Sequence, residues 1–228
     1  MDSILRARPR FGQHALLVTT AAVPLTGWSL HAVAMHRRLA AARKCQLTGL
    51  PGRDELLAYG DRLLRTGRRG TVYVVLLDGD GFKAINDAHG HAAGDTVIRA
   101  LGRRLARWCT GRRALAARLG GDEFALAAAL PPASALAELV ALRDQLQQPL
   151  RYERLTLRLG VSVGIARAAD LPGEPCSRLL RGADKAMYRV KNGERVFPYC
   201  ASRADAYAET VNGRRAGRRG AALPERAA

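Results

Sequence analysis

Two adjacent glycines followed by two acids, Gly120 to Glu123, interrupt the otherwise apolar stretch ARLGGDEFAL at residues 117–126. A tight two-residue turn needs positive φ, which glycine adopts readily, so this corner predicts a chain reversal between two apolar segments. The turn does not require the acids Asp122 and Glu123, and buried carboxylates are unfavourable unless they are paired or bind a metal. The corner alone is therefore compatible with a structural turn or with a functional site.

The segments around this corner predict a fold that mixes strands and helices. The segment TVYVVLLD at 71–78 is apolar, rich in β-branched residues and preceded by glycine, which is typical of a buried strand. Apolar spacing predicts helices at 53–67, 94–109, 134–147 and 176–191 and strand segments within 155–166, while 124–130 fits either a strand or a short helix. The mixture favours an α+β sheet with helices packed on it.

The N-terminal region contains a candidate membrane span. No Asp, Glu, Lys or Arg occurs between Phe11 and His36, and arginines flank this window on both sides, as in a transmembrane helix. An amphipathic surface helix and a cleaved signal peptide are the alternatives. We expect a basic tail at 1–14, a transmembrane helix at 15–36, a helical linker at 37–46, a folded domain at 47–200 and a disordered Arg-, Ala- and Gly-rich tail at 201–228.

The formal net charge of +17 raises the possibility of nucleic-acid binding. The arginines are scattered, however, and do not follow one predicted helix face, so a solvated surface or attraction to anionic lipid and nucleotide is favoured. No specific nucleic-acid partner is expected. The four cysteines lack CxxC spacing, which fits neither a zinc site nor a disulfide framework and indicates a reducing cytosol.

A second informative stretch, LLDGDGFKAINDAHGHAAGD at 76–95, places acids directly after the predicted buried strand. Asp95 as a helix cap and Asp87 in a turn have structural explanations, but Asp78 at the end of an apolar strand does not. If the corner with Asp122 lies beside this strand, two carboxylates converge. Converging carboxylates bind Mg²⁺ and leave its other ligand positions to water and phosphate, as in two-metal phosphoryl transfer.

Five ordered motifs together resemble the GGDEF-domain diguanylate cyclases from about Leu47 to Arg195. They are LTGLPGR at 47–53, DGDGFKAINDAHGHAAGD at 78–95, Arg118 with GGDEF at 120–124, VSVGIA at 161–166 and ADKAMYRVKNGER at 183–195. The resemblance implies an α+β, palm-like, ferredoxin-related nucleotidyl cyclase domain, with a central, mostly antiparallel sheet and flanking helices. In that fold the signature Gly120–Phe124 forms a β-hairpin.

The resemblance also implies the reaction, which joins two GTP into cyclic di-GMP and releases two pyrophosphates. Asp78, Asp122 and the Gly79 carbonyl would bind Mg²⁺ (or Mn²⁺). Asp122, or else Glu123, would help to deprotonate the attacking 3′-hydroxyl, with Asp122 preferred.

Other motif residues would bind the nucleotide. The resemblance implies that Asn86 and Asp95 bind the guanine edge, His91 lines the pocket, the Gly120 and Gly121 backbone approaches the phosphates, and Lys83, Lys191 and Arg195 neutralise the triphosphate, with Lys83 and Lys191 also stabilising charge during the reaction.

Because each domain would carry one GTP, a homodimer is required for catalysis. We expect this homodimer at the bacterial inner or cell membrane, with the catalytic domain in the cytoplasm. Cys45 and Gly52 stand where the family usually has Asp and Asn, and Gly111 and Ala114 replace the inhibitory RxxD pair. The alternative function is a catalytically inactive GGDEF-fold sensor of GTP or cyclic di-GMP.

Overall fold

The structure is a computed structural model that describes residues 44–208. The predicted basic tail, the predicted span at 15–36, the first seven residues of the linker and the last twenty residues of the C-terminal tail lie outside the described residues. Within 44–208, no helix is long and apolar enough to cross a membrane.

Strand β1, Val72–Asp80, is the centre of the fold and is buried along most of its length. Its side chains alternate between two cores: Tyr73, Val75 and Leu77 face one core, while Val72, Val74 and Leu76 face the other. A strand buried on both faces is apolar without interruption, which is why the sequence lacks polar alternation here. Asp78 and Asp80 end the strand as the first polar residues.

Within residues 44–208, five helices and five further strands surround β1. The helices are α1 Arg53–Thr66, α2 Phe82–Cys109, α3 Ala135–Leu146, α4 Cys176–Lys191 and α5 Arg203–Tyr207, and a short 3₁₀ helix spans Arg69–Thr71. The strands after β1 are β2 Ala114–Gly120, β3 Glu123–Ala129, β4 Leu150–Tyr152, β5 Leu155–Leu157 and β6 Gly160–Arg167.

The main sheet has the strand order β2-β3-β1-β6, and every neighbouring pair is antiparallel. A separate small hairpin joins β4 to β5. Helices α2 and α3 pack on one face of the sheet, and α1, α4 and α5 pack on the other. The predicted α+β class with an antiparallel sheet and flanking helices is confirmed.

Helix α2 begins much earlier than the sequence predicted. It starts at Phe82, not near residue 94, and is kinked at Gly90, where φ is 78° and ψ is 166°. Asn86 and Asp87 therefore lie on a helix and not on a loop, and Asp95 lies inside the helix and does not cap it. The apolar residues before Gly90 are too few to show a helical period, so the first two turns were missed.

Two predicted boundaries are also wrong. Residues 201–208 are not part of a disordered tail, because Ser202 caps helix α5 and Asp205 completes a capping box. Arg-, Ala- and Gly-rich composition concealed this short helix. At the other end, Lys44–Gln46 are not helical: Cys45 accepts backbone hydrogen bonds from Thr48 and Gly49 and forms a turn.

Candidate active site

The tip of β1 brings together the acids that the sequence selected. Asp78 lies directly opposite Glu123 of β3 in the sheet register, so both side chains point to the α4 face. Asp80, two residues after Asp78, lies on the same face. Between them, the Gly79 N–H donates a hydrogen bond to the Asp122 carbonyl at 3.3 Å. Three carboxylates, those of Asp78, Asp80 and Glu123, therefore share one face at this corner of the sheet, and Asp122 lies beside Gly79 on the turn between β2 and β3.

Glycine is needed at the turn and beside it. Gly120 and Gly121 have φ values of 150° and 52°, and the β2–β3 register shifts between Arg118 and Gly120. Gly79 has an ordinary backbone, but a Cβ at this position would lie 3.3 Å from Asp122 Cβ. The absence of side chains lets the signature turn lie against the tip of β1. This geometry accounts for the glycines next to Asp122.

Lys191 reaches the acidic corner from the end of α4. The helix packs against β6 so closely that a Cβ at Gly164 would overlap the Ala183 carbonyl oxygen. The Lys191 Nζ lies 2.5 Å from Asp78 Oδ2 and 3.1 Å from Asp80 Oδ1. Burial lowers the pKa of Lys191, but hydrogen bonds and attraction from Asp78 and Asp80 outweigh this, and its pKa is raised. The ammonium therefore stays charged and compensates two carboxylates.

Asp80 and Ser162 belong to this corner, although neither had a role predicted from the sequence. Ser162 Oγ donates a hydrogen bond of 2.7 Å to Asp80 Oδ1. Asp80 is thus fixed between β6 and Lys191. The sequence places Asp80 one residue after Gly79, and this spacing puts it on the same face of the strand as Asp78.

A second part of the candidate site lies at the kink of α2. A Cβ at Gly94 would overlap Asn86 Oδ1, so the Asn86 amide packs against the helix on the far side of Gly90. Asp95 follows Gly94 directly, is half-buried and lies 3.6 Å from Arg99. The kink thus places the Asn86 amide against the residue that precedes Asp95, and these two side chains were predicted to bind guanine, which needs both a donor and an acceptor.

Three predicted nucleotide-binding residues lie outside the acidic corner, and two of them make other contacts. Lys83 is exposed and pairs with Asp87 at 2.5 Å, one helical turn later. Arg195 lies over the Tyr199 ring, with its Cζ 5.5 Å from the ring centroid. His91 is exposed, and within residues 44–208 no hydrogen bond or ion pair fixes its side chain. The structure brings none of the three to the acidic corner.

The residues at the acidic corner fit a divalent cation. Their donors are all oxygens, as Mg²⁺ and Mn²⁺ prefer, and the Lys191 ammonium between Asp78 and Asp80 shows that a cation is accommodated there. Among residues 44–208, no group of three or more His, Cys, Asp or Glu side chains is arranged to hold a metal. The expected set of two carboxylates and one carbonyl is smaller than such a group.

Comparison with known proteins identifies the family that this geometry resembles. The family model described as "Diguanylate cyclase, GGDEF domain" matches residues 45–196. A 19.3 kDa protein of Streptomyces ambofaciens is 43% identical over 173 residues, which cover 76% of this chain and 91% of that protein. Diguanylate cyclase DgcZ of Escherichia coli is 33% identical over 181 residues, covering 78% of this chain and 58% of DgcZ.

Other relatives are longer or have a different activity. The match covers only 23% of the Mycobacterium tuberculosis protein Rv1354c. It covers 24% of the Escherichia coli cyclic di-GMP phosphodiesterase PdeR, which is 34% identical. The chain thus corresponds to about a quarter of each of these relatives.

Solved structures show the same fold. The GGDEF domain of TpbB (YfiN) from Pseudomonas aeruginosa is 35% identical, with a TM-score of 0.64 over 71% of this chain and 96% of that one. The GGDEF domain of DgcB from Caulobacter crescentus, solved in complex with cyclic di-GMP, is 29% identical, with a TM-score of 0.60 over 71% of this chain and 95% of that one.

Proposed function

The chain belongs to the GGDEF-domain family of diguanylate cyclases, and from this membership we propose that it condenses two GTP into cyclic di-GMP with release of two pyrophosphates. The observation that carries the proposal is the acidic corner, where Asp78 and Glu123 face each other across the sheet beside the Asp122 turn. A structural hairpin has no need for these acids, because like charges directly opposite each other destabilise a sheet.

The reaction forms one phosphodiester bond for each pyrophosphate released. The 3′-hydroxyl oxygen of one GTP attacks the α-phosphorus of the other, the bond to pyrophosphate breaks, and the hydroxyl proton passes to a carboxylate. We assign that carboxylate to Asp122, with Glu123 as the alternative. A carboxylate within hydrogen-bond reach of the hydroxyl is suited to this transfer. A repeat of the step closes the ring.

Asp78, Asp122 and the Gly79 carbonyl are the residues that would hold Mg²⁺ or Mn²⁺. When bound, the cation would neutralise charge on the phosphate oxygens. Lys191, which already lies at this corner, adds a point charge for the triphosphate. We assign the same role to Lys83 and Arg195. Both side chains are exposed to solvent.

Base selection is assigned to Asn86 and Asp95. The Asn86 amide N–H donates to guanine O6, and the Asp95 carboxylate accepts from N1–H and N2–H. Adenine lacks this pattern, since its N6 amino group is a donor. A site that hydrogen-bonds one base in this way rejects a base that leaves its buried polar groups unpaired. His91 is assigned to the pocket wall.

One domain holds one GTP, so the two half-reactions need two facing domains. We therefore propose that the homodimer is the active form and that membrane attachment through 15–36 places it at the cytoplasmic face, where GTP is available. Positioning of two nucleotides then supplies a large part of the rate enhancement.

The test is substitution of the paired acids in the full chain. We expect Asp78→Asn and Asp122→Asn each to lower cyclic di-GMP formation about a hundredfold or more, because each removes a charge with little change in volume. Asp144→Asn, on the exposed face of α3 and paired with Arg143, is the matched control and should retain activity. Near wild-type turnover in Asp122→Asn would refute the assignment. Binding of GTP or cyclic di-GMP without turnover in the unmodified protein would instead support the sensor function.

A further inference from the structure

Arg118 holds the signature turn through its backbone. The side chain extends from β2 and donates hydrogen bonds from Nε and Nη2 to the Gly121 carbonyl oxygen, at 2.9 and 2.7 Å. Its own N–H donates to the Pro51 carbonyl at 3.0 Å, which ties this part of β2 to the start of the domain. Because Gly121 precedes Asp122, the direction of the Asp122 side chain depends on where this carbonyl is held.

The third donor of the guanidinium binds a sulfur. Arg118 Nη1 lies 3.0 Å from Cys45 Sγ. Cys45 is fixed in turn by its backbone, which donates to the Leu50 carbonyl and accepts from Thr48 and Gly49. Burial raises the pKa of the Cys45 thiol, but hydrogen bonds from Thr48 and Arg118 outweigh this, and its pKa is lowered to about 7. The sulfur is therefore a partly ionised acceptor near neutral pH.

We propose that Cys45 and Arg118 act together as positioning residues for the signature turn: the sulfur orients the guanidinium, and the guanidinium holds the Gly121 carbonyl that sets Asp122. Only the kcat and KM measurements below rest on the proposed function. The hydrogen-exchange measurements do not. The positioning role connects the first residues of the described domain to the catalytic turn through two side chains. Neither residue touches the α2 kink where the guanine site is placed.

Because Cys45 and Arg118 do not touch the proposed guanine site, their loss should affect kcat and the KM for GTP differently. Loss of the sulfur removes one of the three hydrogen bonds that hold the guanidinium, so the signature turn becomes more mobile while Asn86 and Asp95 stay in place. Removing one partner of a charged hydrogen bond typically has about a tenfold effect. We expect Cys45→Ala to lower kcat about tenfold and to change the KM for GTP by less than about twofold.

The experiment measures both the mobility of the signature turn and the rate of cyclic di-GMP formation. Hydrogen–deuterium exchange of peptides covering 118–124 is compared in the wild type, Cys45→Ala, Cys45→Asp and Arg118→Lys. Cys45→Asp supplies a permanent anion, whereas Arg118→Lys keeps the charge but loses the forked donor. Cys109→Ala is the matched control, because Cys109 lies at the end of α2 and burial raises its thiol pKa to about 11.

Faster exchange in Cys45→Ala and Arg118→Lys, with wild-type exchange and kcat in Cys45→Asp and Cys109→Ala, would support the proposal. Unchanged exchange in both Cys45→Ala and Arg118→Lys would overturn it, as would Cys45→Asp behaving like Cys45→Ala. If the wild type makes no cyclic di-GMP, the proposed function fails, while the exchange measurements still decide the positioning role.

Discussion

Asp78 lies among the charged side chains of the candidate site. It faces Glu123 across the sheet, follows a fully apolar strand and shares Lys191 with Asp80. Acids on one face of a sheet repel one another, and the Lys191 ammonium offsets this repulsion for Asp78 and Asp80. Stability alone would not select this arrangement, which is why it indicates function.

Base selection gives a prediction at the level of one residue. Asn86→Ala should weaken GTP binding by about 1–3 kcal/mol, because it leaves the guanine O6 acceptor unpaired. The preference for GTP over ATP should narrow by the same amount. Competition binding of the two nucleotides measures the ratio, with Asp87→Ala on the next, exposed position as the control. An unchanged ratio in Asn86→Ala would remove this residue from the guanine site.

The sequence could predict the acids but not their partners. Asp78, Asp122 and Glu123 were recognisable because acids at the end of a buried strand and at a Gly-Gly corner lack a structural reason. The Ser162–Asp80 hydrogen bond depends on the register of β6, which is set by contacts distant in the sequence. The contact of Asn86 with Gly94 depends on a kink that a helical period does not reveal.

Helix α4 is the element that connects the core to the acidic corner. Gly164 lets it pack closely on β6, and its last residue is Lys191. Helix α5 fastens the same helix through Arg189, whose Nε lies 2.9 Å from Asp205 Oδ1. Asp205 is 1% exposed and accepts hydrogen bonds from Tyr199 and Ser202. The short C-terminal helix was missed from composition, yet it stabilises an element of the site.

The α5 contact predicts a stability change. Asp205→Asn should lower the free energy of unfolding by about 1.5–3 kcal/mol, because it weakens a buried charged hydrogen-bond set. Asp144→Asn removes one partner of an exposed ion pair and should change the free energy of unfolding by less than about 1 kcal/mol. Urea unfolding followed by circular dichroism measures both.

The pH dependence of this contact has a defined sign. Burial raises the pKa of Asp205, but its hydrogen bonds and Arg189 outweigh this and lower the pKa below its ordinary value of 3.8. A carboxyl with a lowered pKa stabilises the fold above its unfolded pKa, and that contribution is lost as the pH falls through its folded pKa. The difference between wild type and Asp205→Asn should therefore persist at pH 5–7 and shrink only in stronger acid. A difference that vanishes already at pH 6 would contradict this account.

The connection from α2 to β2 predicts weak product inhibition. Gly111 and Ala114 occupy the positions of the RxxD pair, and Gly111 has a φ of 74°. Arg112 is engaged elsewhere: it donates to the Trp108 carbonyl at 2.9 Å, stacks on the Trp108 ring and pairs with Glu138. Both partners of the pair are therefore absent, and the loss of even one partner in a charged set weakens binding about ten- to a hundredfold. Progress curves with added cyclic di-GMP should show turnover continuing at micromolar product, and strong non-competitive inhibition in that range would contradict this.

At the scale of the whole molecule, the prediction concerns the membrane. A span at 15–36 predicts that the full chain sediments with membranes and resists alkaline carbonate, with the catalytic domain facing the cytoplasm. A chain starting at Lys44 is the control and should remain in the supernatant. Release of the full chain by carbonate would favour the surface-helix alternative.

The most direct test of the central claim is the identity of the product. The purified full chain is incubated with GTP and Mg²⁺, and the nucleotides are resolved by mass. We expect cyclic di-GMP, with two pyrophosphates released for each molecule formed, and a yield lower by about a hundredfold or more in Asp122→Asn. A wild-type protein that binds GTP but leaves it unchanged, at concentrations where it is dimeric, would contradict the account.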